Sequence, residues 1–154
     1  MQKITDVALD DLKEKGVFVQ TENNEYFYFL LDTKTLISLN PENNEYKRLL
    51  ISYRINPKMP VYRFIFEAVQ LYCMSYGKFA IVSKFARYCD KNNTVYIKCG
   101  KNQFYKITTA SIELCDNGTD GVLFSDIIDS EPFEYAKNES GTNNILTDFS
   151  NLVQ

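Results

Sequence analysis

Thr94-Val95-Tyr96-Ile97-Lys98-Cys99-Gly100-Lys101-Asn102-Gln103-Phe104-Tyr105-Lys106-Ile107-Thr108 is two runs of β-branched and aromatic residues around a polar break. Such residues suit a pleated, half-buried surface. With Gly100-Lys101-Asn102 as a three-residue loop, the two runs form a β-hairpin. That loop length sets Lys98 opposite Phe104 and Tyr96 opposite Lys106. Side chains alternate along a strand, so Tyr96, Lys98, Phe104 and Lys106 share one face. Val95, Ile97, Tyr105 and Ile107 share the other, which is expected to be the core side. The first face, two rings with two amines, is expected to meet solvent.

The surrounding stretch, residues 81–124, reads as more strands. Residues 81–88 form one, and residues 111–115 form another that runs into the turn signal Asn117-Gly118. Val122-Leu123-Phe124 is a short buried strand. Upstream, Ile4, Val7, Ala8 and Leu12 keep the period of a helix face over residues 4–15, with Gly16 as its C-terminal cap. Residues 17–21 and 26–31 form a hairpin around Glu22-Asn23-Asn24-Glu25, and residues 35–39 add a third strand. A short helix is predicted at 45–53 with Leu49 and Leu50 inward. A longer one is predicted from Pro60 to Gly77, with Val61, Phe64, Ile65, Ala68, Leu71 and Tyr72 as the buried stripe. The fold class is therefore α+β: small antiparallel sheets with a central helix pair in a single domain, residues 1–136. Residues 137–154 read as a linker and the start of a following element.

Composition narrows the chemistry. The chain has 154 residues, 45% hydrophobic, with 11 Tyr and 11 Phe but no His and no Trp. Without histidine the usual general base, metal ligand and near-neutral titrating group are all missing. Cys73, Cys89, Cys99 and Cys115 are spaced by 16, 10 and 16 residues, so no CxxC pair exists for zinc. A cytoplasmic protein with reduced thiols is the expectation, since residues 1–15 lack the apolar run of a signal peptide. No apolar stretch approaches the roughly 20 residues of a membrane helix, so no membrane partner is expected. Charge is segregated. Residues 47–106 hold twelve Lys or Arg against two acids, whereas the rest of the chain holds five basic and eighteen acidic residues. This suggests a surface facing a polyanion, or two halves that pair with each other across the fold.

Lysines that meet phosphates and rings that stack on bases are what single-stranded nucleic acid requires. The candidate contacts are Lys84, Arg87, Tyr96, Lys98, Lys101, Phe104 and Lys106. The plainer reading is a solvated sheet face. Asp116, Asp120, Asp126 and Asp129 lack an ordered motif that would gather them around a magnesium ion, and the turn glycines account for their neighbourhood. No nucleophile has a base beside it, and no GxxxxGK[ST] phosphate loop is present. The expectation is a chain with no catalytic residues, no metal and no cofactor.

Phe85-Ala86-Arg87-Tyr88, Thr94-Val95-Tyr96-Ile97, Phe104-Tyr105-Lys106-Ile107 and Asp116-Asn117-Gly118-Thr119-Asp120-Gly121-Val122-Leu123-Phe124 resemble a region of phage- and plasmid-type replication proteins. That region lies just before the AAA+ (superfamily-3-like) helicase domain of mobile-element proteins. The resemblance covers residues 18–152, and its most specific part is the Asn117–Phe124 turn. It implies a helix pair, then strands, then that turn, then the ATPase, which would start near Ile145-Leu146-Thr147-Asp148-Phe149. No ATP-binding residue has a matching position here. The function implied is a non-catalytic DNA-handling or motor-positioning domain of a replicative helicase. Its expected partners are single-stranded DNA and the AAA+ helicase domain or another replication protein, with a homo-oligomer allowed. The alternative is a protein–protein module, or a small phage or mobile-element regulator, docking an acidic partner.

Overall fold

The computed structural model describes residues 2–126 together with Phe133 and Glu134. It is a mixed α+β fold. The expected linker and following element, residues 137–154, lie outside the described residues, as does Asp129.

Helix α1 (Gln2–Lys15) runs straight into strand β1 (Gly16–Gln20). Gly16 therefore does not cap the helix; it begins the strand. Its need for glycine is steric, because a Cβ there would sit 2.5 Å from the Phe29 carbonyl oxygen and from Cζ of Tyr28. The Tyr28 hydroxyl passes over this gap and donates to the Leu12 carbonyl at 2.7 Å, tying α1 to the sheet. Strand β2 (Tyr26–Leu30) pairs antiparallel with β1 through the turn expected at residues 22–25, where Asn24 takes the left-handed conformation that asparagine tolerates. Strand β3 (Leu36–Ser38) pairs with β2 and is shorter than the expected 35–39.

Helix α2 (Asn44–Ser52) starts where the Asn43 side chain accepts from the N–H groups of Glu45 and Tyr46, both at 2.9 Å. This satisfies two of the four orphan donors of a helix start. Helix α3 (Pro60–Tyr76) begins at Pro60 as expected, but its buried stripe is Ile65, Phe66, Val69 and Cys73. Phe64 and Leu71, expected inside, are exposed. The helix is apolar nearly all round, so its periodicity fits more than one stripe, and contact with the sheet makes the choice. The inward ring Phe66 packs 5.0 Å from Tyr46, and the Cys73 thiol reaches the Val19 carbonyl at 3.3 Å. Burial pushes that thiol up to about 11, so it stays protonated and unreactive.

The expected strand at 81–88 is broken into pieces. Strands β4 (Lys78–Phe79), β5 (Val82–Ser83) and β6 (Ala86–Cys89) each join a different sheet. β4 lies parallel to β1 and completes a sheet ordered β3-β2-β1-β4. β6 opens a second sheet with β7 (Thr94–Lys98), β8 (Gln103–Ile107) and β9 (Ile112–Asp116), an antiparallel meander. β5 pairs in parallel with β10 (Leu123–Phe124) between them. The sheets are thus not purely antiparallel, because the chain leaving α3 re-enters along sheet edges instead of folding back on itself.

The first sheet is covered on both sides. Phe18, Tyr28 and Ile37 face α1, α2 and α3, while Val19, Phe27, Phe29 and Leu36 face Leu123. A third cluster holds Tyr96, Phe104, Val122 and Phe124. Residues 122–124 alternate between the two sheets: Leu123 fills the gap on the first, and Val122 and Phe124 fill the gap on the second. Asn117 fixes this joint, donating to the Phe124 carbonyl at 3.0 Å and accepting from the Phe124 N–H at 2.9 Å. Gly118 is left-handed, and a Cβ there would meet Cζ of Phe29 at 2.7 Å.

Three tyrosines give the fold an alkaline limit. Burial pushes the Tyr28 hydroxyl up to about 12 and drives Tyr46 and Tyr53 upward too; Asp11 adds to the effect at Tyr53 by accepting its proton at 2.5 Å. A raised folded-state value means the stabilisation is complete below the unfolded value of about 10 and is lost as pH climbs through 12. Urea midpoints should therefore hold steady up to pH 9.5 and fall steadily above about pH 10. A midpoint still flat at pH 11 would show that these hydroxyls ionise as freely as in the open chain.

Candidate nucleic-acid interface

The hairpin register is as expected, with Lys98 opposite Phe104 and Tyr96 opposite Lys106. Its faces are reversed. Tyr96 is 3% exposed and Phe104 0%, whereas Val95, Ile97, Tyr105 and Ile107 are only half-buried on the outer side. The cause is the return of residues 117–126 beneath the sheet. Phe104 packs 5.6 Å from Tyr96 and 5.5 Å from Phe124, so neither ring is open to a base.

The amines on that face are also taken. The Lys98 amine donates to the Ser125 carbonyl at 2.6 Å and to the Asp126 carboxylate at 2.8 Å. Lys106 pairs with Asp120 at 2.7 Å, and that contact holds its amine above the ordinary lysine value. Lys101 pairs with Glu45 on α2. The basic middle and acidic flanks of the chain thus meet across the fold at three places. Asp120 and Asp126, considered as metal ligands, are two of these acids. Among the described residues no group of three His, Cys, Asp or Glu side chains could hold a metal ion.

Two of the seven expected contacts, Lys84 and Arg87, have no ion pair among the described residues; Lys84 is exposed, whereas Arg87 is partly buried, on the side of β6 that carries Tyr96 in its neighbour strand. They belong to a longer ribbon. Residues 76–91 run along one edge of all three sheets, through β4, β5 and β6. The ribbon is anchored on one side: Ala80 N–H to Gln20 O at 3.0 Å, Ser125 N–H to Ser83 O at 3.0 Å, and Lys98 N–H to Phe85 O at 2.8 Å. Exposed rings stand on its outer side. Phe79 is 73% exposed, Phe85 66% and Tyr76 72%. Lys78 and Lys84 come between these rings and Arg87 and Lys91 follow them, against the one acid of the ribbon, Asp90. The exposed cations and rings of this ribbon that the sequence reading did not single out are Lys78, Phe79, Phe85 and Lys91. The alternation of base and ring from Lys78 to Arg87 was the available signal, but the sequence reading placed the stacking rings on the 94–107 hairpin instead.

A groove of about 740 Å³ lies elsewhere, between α1 and the end of α2. Its polar groups satisfy one another: Asp11 accepts from Tyr53 and pairs with Lys15 at 2.7 Å, and these contacts hold its carboxyl below the ordinary value. No helix among the described residues is long and apolar enough to cross a membrane. No family model, no curated protein and no solved structure matches this chain.

Proposed function

We propose that this chain is a non-catalytic domain that handles single-stranded DNA beside the motor of a mobile-element replicative helicase. The observation that carries the reading is the ribbon of residues 76–91, where exposed rings stand among cations that form no ion pair among the described residues. Phosphates would meet Lys78, Lys84, Arg87 and Lys91, and unpaired bases would stack on Phe79 and Phe85. Tyr96, Phe104 and Lys98 belong to the core and take no part, and Lys101 and Lys106 are held by acids. The motor context rests on the resemblance of residues 85–124 to the segment before the helicase domain.

The test is fluorescence anisotropy of a labelled oligothymidylate of about 20 nucleotides. Four phosphate contacts on a single strand give a log–log salt slope near −2.8, so affinity should fall about 50-fold from roughly 50 to 200 mM salt. Lys84→Glu with Arg87→Glu should abolish binding at physiological salt. Phe79→Ala and Phe85→Ala should each weaken it about 5- to 150-fold. Lys106→Gln should bind as the parent does. A duplex of equal charge should bind less well, because its bases are already stacked. Salt-independent affinity, or full binding by the double charge reversal, overturns the reading and assigns the ribbon to an acidic protein surface.

A further inference from the structure

The β6–β9 sheet ends in two edges of opposite charge. Among the described residues, β6 and β9 each pair with a neighbour on one side and leave the other side open. The hydrogen bonds show which backbone groups each edge presents. In an antiparallel pair, residues alternate between those that bond the partner strand and those that point away from it. The Thr108 N–H bonds the Ser111 carbonyl at 2.9 Å and the Asn117 N–H bonds the Asn102 carbonyl at 2.8 Å, so Glu113 and Cys115 between them bond β8. Ile112, Leu114 and Asp116 therefore direct their backbone groups outward. The Lys98 N–H bonds the Phe85 carbonyl at 2.8 Å, so Arg87 and Cys89 bond β7, and Ala86 and Tyr88 direct theirs outward. Glu113 and Asp116 stand exposed on the β9 edge. Lys84, exposed, and Arg87, partly buried, lie at the β6 edge. None of these four has an ion pair among the described residues. Glu113 accepts from the Ser111 hydroxyl at 2.9 Å and Asp116 from the Gln103 amide at 3.4 Å, so neither charge is neutralised.

We propose that these edges join head to tail: β9 of one copy pairs antiparallel with β6 of a second copy, and the sheet continues from one chain into the next. One register satisfies the backbone and the charges together. It sets Ile112 opposite Tyr88 and Leu114 opposite Ala86, the residues whose N–H and carbonyl groups point outward, so each pair exchanges both of its bonds. The same register sets Glu113 opposite Arg87 and brings Asp116 beside Lys84, at the bend that precedes β6. Sliding the strands by two residues either way keeps backbone bonds but separates both charge pairs. Opposite charges across a sheet stabilise and like charges destabilise, which disfavours the two-fold alternatives. β6 against β6 through Ala86 and Tyr88 sets Arg87 on Arg87. β9 against β9 centred on Leu114 gathers the Glu113 and Asp116 of both copies. Each edge therefore repels its own kind, as charge on an exposed edge does, and fits the other. Main-chain bonds carry the affinity of strand addition, and the area buried is small, so the association is weak. A head-to-tail contact leaves one edge of each kind open on a dimer, so assembly grows past two copies as concentration rises. Lys84 and Arg87 also belong to the proposed DNA contact, so oligonucleotide and neighbouring copy compete for β6. The β9 half of the contact is independent of that reading.

Sedimentation velocity from about 10 µM to 1 mM in roughly 50 mM salt tests it, conditions suited to a small charged interface. The average mass of the parent chain should rise beyond that of a dimer across this range. Glu113→Lys with Asp116→Lys should stay monomeric, and so should Lys84→Glu with Arg87→Glu, each with the far-UV spectrum of the parent. An equal mixture of these two variants should associate again, because each carries the edge charges that the other now needs. Leu114→Pro removes an outward N–H without touching the bonds to β8, and should weaken association at least tenfold. A parent that stays monomeric at the top concentration overturns the proposal. So does a mixture that stays monomeric while the parent assembles. Glu113→Lys with Asp116→Lys alters no residue of the proposed DNA contact and should bind oligonucleotide at least as tightly as the parent. Its assembly and its oligonucleotide binding are therefore separate readouts, and either reading can fail without the other.

Discussion

Phe124→Ala should lower folding stability by about 3–5 kcal/mol, the range for truncating a fully buried phenylalanine. Phe124 is buried among Tyr96, Phe104 and Val122, and its ring stands 5.5 Å from that of Phe104. The site has little room to collapse. The backbone is held on both polar groups by Asn117, and the next side chain back, Leu123, is committed to the first sheet. A cavity would therefore persist where two sheets are joined. Small domains hold only about 5–15 kcal/mol in total, so this loss is a large share. Urea unfolding followed at once by far-UV dichroism and tyrosine fluorescence measures it. If the joint makes the domain one cooperative unit, both probes should shift together to a lower midpoint with the same slope. Separate transitions would show that the β6–β9 sheet holds itself together without the joint.

The parts of this architecture legible in the sequence are those set by neighbours along the chain. The β1–β2 and β7–β8 hairpins follow from turn residues and loop length, and both registers came out as the spacing implied. Pro60 and Gly77 bracket α3 for equally local reasons. What was not legible was decided by distant segments. Alternation says which residues of β7 share a face, but not which face turns inward. Val95, Ile97, Tyr105 and Ile107 are the more apolar set by composition, yet they point outward because residues 117–126 return beneath the other face. The same return hides Tyr96 and Phe104, buries Lys98 beside Asp126 and pairs Lys106 with Asp120, while Lys101 pairs with Glu45 at the surface. Lys84 and Arg87 lie in and just before the edge strand β6 and have no ion pair among the described residues, so they remain candidates.

The ion pair of Lys98 makes the second large prediction. The Lys98 side chain is 5% exposed and Asp126 is 32% exposed, 2.8 Å apart. Asp126→Ala should cost about 2–3 kcal/mol, because it leaves an ammonium group in the core with the Ser125 carbonyl as its remaining partner. The figure is below the 3–5 kcal/mol of a fully buried pair, since Asp126 keeps part of its side chain in water. Lys98→Met should cost about 1 kcal/mol or less, because it removes the buried charge together with the need to neutralise it. Adding Asp126→Ala to Lys98→Met should then change almost nothing, so the two substitutions are strongly coupled. Urea denaturation of the four proteins in this cycle gives the coupling directly. Additive losses would mean that the pair is too well solvated to matter, and would return the Lys98 amine to the set of groups able to meet a phosphate. Strong coupling, together with oligonucleotide affinity unchanged by Lys98→Met, would fix Lys98 as a core residue and leave phosphate contact to the edge formed by residues 76–91.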